Sequence, residues 1–95
     1  RYPGVVPAGR TSDLLLGTID KFPSLCALAG IPVPPTCDGR DYSAAFRGEP
    51  VTPPTSQFLM HISKKHASGG EHHPAPIFRG VTTGRYTYAC YPDRP

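Results

Sequence analysis

The sequence predicts an α+β partial domain, short helices packed with a small antiparallel sheet. Three observations lead there. Ten Gly and 13 Pro fill about a quarter of the 95 positions and cut the chain into short elements. Residues 20–29 carry apolar side chains at helical spacing between a capping Asp and a terminating Gly. Residues 77–91 alternate about a Thr-Gly turn as a hairpin does. The domain is called partial because Leu, Ile, Val and Phe fill only one position in five. That is thin for a short chain that must bury its own core. Such a chain is either a loop-rich small domain or a piece of a larger one whose core is completed by other chain. Arg1 stands where an initiator Met would, which favours a processed product or an excised segment.

Residues 1–56 read as a junction segment and residues 57–95 as the antiparallel β portion. The opening RYPGVVPAGRTS is extended, with Pro3, Gly4, Pro7 and Gly9 blocking regular structure. Asp13 to Ile19 is apolar and short, and periodicity alone does not separate a buried strand from a helix lead-in. Asp20 is then a good N-cap, its carboxylate accepting from free amides of the first turn. Phe22, Leu25, Cys26, Leu28 and Ala29 form one apolar stripe, with Pro23 early enough to cost no intrahelical amide bond. Gly30 ends the helix in the left-handed region, Ile31 folds back, and Pro32 forbids continuation. The spacing therefore predicts a helix over 20–29. A Pro-rich link follows and leads into Asp38-Gly39. Asp41 caps a short helix over 42–47, which Gly48 closes. Gln57 to Ile62 reads as a strand buried on both faces. Residues 63–76 form a polar loop. With Thr83-Gly84 as a two-residue hairpin loop, Ile77 faces Cys90, Arg79 faces Tyr88 and Val81 faces Tyr86, and Arg79 stacks between two tyrosines.

Charge and composition exclude several function classes. The net charge of +3 is dispersed, Lys64-Lys65 being the densest basic pair, so no nucleic-acid footprint is present. No apolar run approaches the roughly 18 residues of a membrane span. Cys26, Cys37 and Cys90 are an odd set without a C-x-x-C pair, which favours free buried thiols, a Cys26–Cys37 bridge being the alternative. Ser24, Ser43 and Ser56 have no base at readable spacing, so a serine-hydrolase reading has no support. His66, His72 and His73 share a loop with no helix to fix a ligand pair, and His61 alternates into the sheet beside Leu59. No metal site is expected in this segment.

The order of these signals resembles the later part of the sulfatase family, within the alkaline-phosphatase-like superfamily. The residues that carry the likeness are Arg1 to Gly9, Asp20 to Leu25, Leu28 to Gly30, Asp38-Gly39 and Gly48. The strand pair adds Arg79, Val81, Thr83, Tyr86 and Tyr88. The resemblance implies the C-terminal subdomain of a sulfatase-like α/β fold, with the remainder of the parent sulfatase domain as its partner. In that parent, a formylglycine nucleophile and calcium or another divalent cation act on a sulfate ester. Both are implied on chain outside these residues, so the segment alone is expected to be inactive and to hold no cofactor. Cys90-Tyr91-Pro92-Asp93-Arg94 fits the letters Cys-x-Pro-x-Arg around the family's converted Cys. The family, however, places small residues between Cys and Arg and an apolar helix after them. Tyr91 and Asp93 are bulky and acidic, so Cys90 reads as a strand-end residue and no catalytic residue is assigned. The 63–76 loop, with His72 and His73, is expected to face substrate in the assembled enzyme. Two alternatives stand beside this reading: a stand-alone structural or binding module, and a fragment of a phosphoester-cleaving relative in the same superfamily.

Overall fold

The computed structural model describes residues 1–62 and 77–92. The elements run α1 (Thr18–Leu28), α2 (Ser43–Phe46), β1 (Gln57–His61), β2 (Phe78–Thr82) and β3 (Thr87–Cys90). They fall into two compact units, Arg1–Thr55 with the helices and Ser56–Pro95 with the sheet. The fold class is α+β, as the breaker spacing requires.

In the first unit the chain turns at Tyr2 to Val6, where the Val5 and Val6 amides both donate to the Tyr2 carbonyl at 3.2 and 2.8 Å. The segment before α1 is irregular, so the apolar run 13–19 is a lead-in and not a strand. Helix α1 starts two residues before the expected position. Gly17, with extended backbone, is the N-cap residue, and Asp20 sits in the first turn. The physical reason is the direction of the Asp20 carboxylate. It reaches backward to accept from the Gly17 amide at 2.9 Å, the return half of a capping box. The Asp20 N-cap assignment is therefore replaced by a role inside the first turn. At the other end Gly30 has φ 71°. Its amide donates to Ala27, and the Ile31 amide donates to Cys26 at 2.9 Å. This pair of bonds is a Schellman closure. The Ile31 amide returns to the helix while its side chain stays exposed. Gly48 and Glu49 close α2 in the same way, donating to Ala45 and Ala44.

The second unit is a three-stranded antiparallel sheet in the order β1-β2-β3. Phe58 pairs with Val81 and Met60 with Arg79, while across the hairpin Val81 pairs with Tyr88 and Arg79 with Cys90. Two expectations are corrected here. Strand β1 lies at an edge, and Phe58 and Met60 are 59% and 55% exposed, so only one of its faces is covered. The hairpin loop is four residues, Thr83 to Tyr86, with the Thr83 amide donating to the Tyr86 carbonyl at 2.9 Å. Thr82 and Thr83 hydroxyls add donors and acceptors that a two-residue loop would leave unused. The register moves by two, which keeps the same residues on each face. Tyr86 leaves the strand, and Arg85, not Arg79, lies over its ring at 5.0 Å. All three cysteines are free thiols. Cys26 is buried, as expected, whereas Cys90 is exposed.

Candidate functional site

The sequence-predicted positions disperse. His72 and His73 lie outside the described residues, as do His66, Asp93 and Arg94. His61 stands on β1 with its ring stacked on Phe78 at 6.2 Å, and Phe78 in turn meets Tyr91 at 5.8 Å. Its Nε2 is buried without a hydrogen-bond partner among the described residues. Cys90 ends β3 and is exposed, followed by a bridge residue and a turn.

What the first unit builds instead is a buried polar clasp between α1 and the segment 39–43. Asp20 is 5% exposed and Ser24 not at all. The two are one helical turn apart, so they share a face. The Asp20 carboxylate accepts from the Gly17 and Arg40 amides, each at 2.9 Å. The Ser24 hydroxyl donates to the Asp20 carbonyl at 2.6 Å and accepts from the Tyr42 amide at 2.9 Å. Buried polar atoms are tolerable only when satisfied in this way. Pro23 adds a second device. It has no amide to give the Ile19 carbonyl, and Gly39 lies directly against that carbonyl. A side-chain carbon at position 39 would collide with the Ile19 backbone, so the close approach needs Gly.

Neither Asp20 nor Ser24 was read from the sequence as belonging to a buried pair. The signal that could have found them is their i, i+4 spacing opposite the apolar stripe. Of that stripe Phe22 and Leu25 are 57% and 62% exposed and Ala29 is exposed too, whereas Cys26 is buried and Leu28 half-buried; Ile19, 59% exposed, joins the outward side. Beside it, Arg1, Tyr2, Val6, Leu25, Leu28, Ala29 and Phe46 line a shallow groove of about 530 Å³. A second groove, of about 660 Å³, runs between Arg10 to Leu14 and the end of α2. The Arg10 guanidinium packs over Gly48 there. Arg47 donates to Glu49 at 2.8 Å and to the Ser43 hydroxyl at 3.2 Å. The Arg47 hydrogen bond holds the Glu49 carboxyl below the usual range, and Glu49 in return pushes the guanidinium up.

Among the described residues this arrangement ties α1 to the segment 39–43. No group of three metal-ligating side chains comes together among the described residues. Asp20, Asp41 and Glu49 are already engaged, by amides, by the Ser43 amide and by Arg47. No described helix is long and apolar enough to cross a membrane.

Comparison with known proteins finds no matching family model and no matching solved structure. Curated proteins do match. An endo-4-O-sulfatase of Bacteroides thetaiotaomicron is 32% identical over 99% of this chain and 20% of its own length. Arylsulfatase G of Mus musculus is 48% identical over 50% of this chain and 10% of its own. The steryl-sulfatase of Homo sapiens is 32% identical over 78% of this chain and 13% of its own. The chain thus spans at most about a fifth of the length of these relatives.

Proposed function

This chain is a partial sulfatase-like region, and from that premise we propose that it is the C-terminal structural part of a sulfatase-type hydrolase. The whole protein hydrolyses a sulfuric ester. Its nucleophile, a formylglycine, and its calcium or other divalent cation are held by chain outside these 95 residues. The observation that carries the reading is the match along 99% of this chain to one fifth of a much longer sulfatase. No catalytic step is routed through this segment.

The test compares two proteins on an aryl sulfate with calcium present. The longer protein encoded by the full reading frame is expected to release sulfate, and the isolated 95-residue chain is expected to release none. Metal-dependent release by the short chain, or a reading frame that starts just before Arg1, overturns the proposal. We place His72 and His73 at the substrate-facing side of the assembled enzyme, on the position of their loop in the sequence. Replacing both with Ala is then expected to raise KM for at least one sulfate ester. Unchanged kcat and KM across several esters removes that assignment.

A further inference from the structure

We draw no further inference here: the strongest candidate, the outward sheet face carrying Phe58, Met60, Arg79, Val81, Tyr88 and Cys90, is an exposed apolar surface around one guanidinium, and nothing in the structure shows what covers it.

Discussion

At position 20 a carboxylate is withdrawn almost wholly from water, and two amides, Gly17 and Arg40, take the place of its hydration. Removing it strands the buried Gly17 amide and leaves the partly covered Arg40 amide without its acceptor. Asp20→Ala is therefore expected to cost the first unit about 1–3 kcal/mol for the stranded Gly17 amide, with a smaller share from Arg40. Ser24→Ala strands only the Tyr42 amide and should cost about 1–3 kcal/mol. Asp20→Asn keeps one good acceptor and should fall between wild type and Asp20→Ala. Urea unfolding followed by far-ultraviolet circular dichroism measures all three, and equal midpoints for wild type and Asp20→Ala would sink the account. The sequence signalled a polar residue at a helix start, but not which amides it serves. Asp is as well suited to the N-cap as to the third helical position. The partner that decides, Arg40, is twenty residues away, where local pattern carries no information. Gly39 was legible only as a turn residue, because its packing against the Ile19 carbonyl depends on the same remote contact.

Among the elements, the helix ends were readable because their determinants are local. Gly30 and Gly48 stop α1 and α2 through bonds spanning only a few residues. Strand identity was readable for the same reason. The hairpin register was not, since the hydroxyls of Thr82 and Thr83 favour a wider loop that alternation cannot reveal. Burial on both faces of β1 was also misread. An unbroken apolar run looks the same whether neighbouring chain or solvent faces it. The closing turn after α2 carries a pH signature. Arg47 lowers the Glu49 carboxyl mainly by donating to it. The pair's contribution is present above the ordinary glutamate range and is lost as pH falls through the lowered value. Side-chain carboxyl titration by nuclear magnetic resonance should place Glu49 below a free glutamate in the wild type and return it to the ordinary range in Arg47→Gln. An unmoved midpoint in that variant would refute the assignment. Both side chains are largely wet, so added salt should weaken the effect.

For the whole molecule, the small sheet, the short helices and the outward apolar stripe agree with a stretch whose core is completed elsewhere. The candidate site was legible only in family terms. Of the histidines that pattern singled out, His66, His72 and His73 lie outside the described residues, while the groups that organise the first unit are a carboxylate and a hydroxyl reading main-chain amides. That last feature bears on how such a region diversifies. A grip on the peptide backbone does not discriminate among side chains, so positions 40 and 42 can exchange residues freely, proline excepted, as far as the grip is concerned. The strand of chain between the two gripped ends, residues 31–37, can also lengthen, since each doubling of a loop adds only about 0.6 kcal/mol of closure entropy. Kin of this protein can thus vary the rim of the segment while conserving its frame.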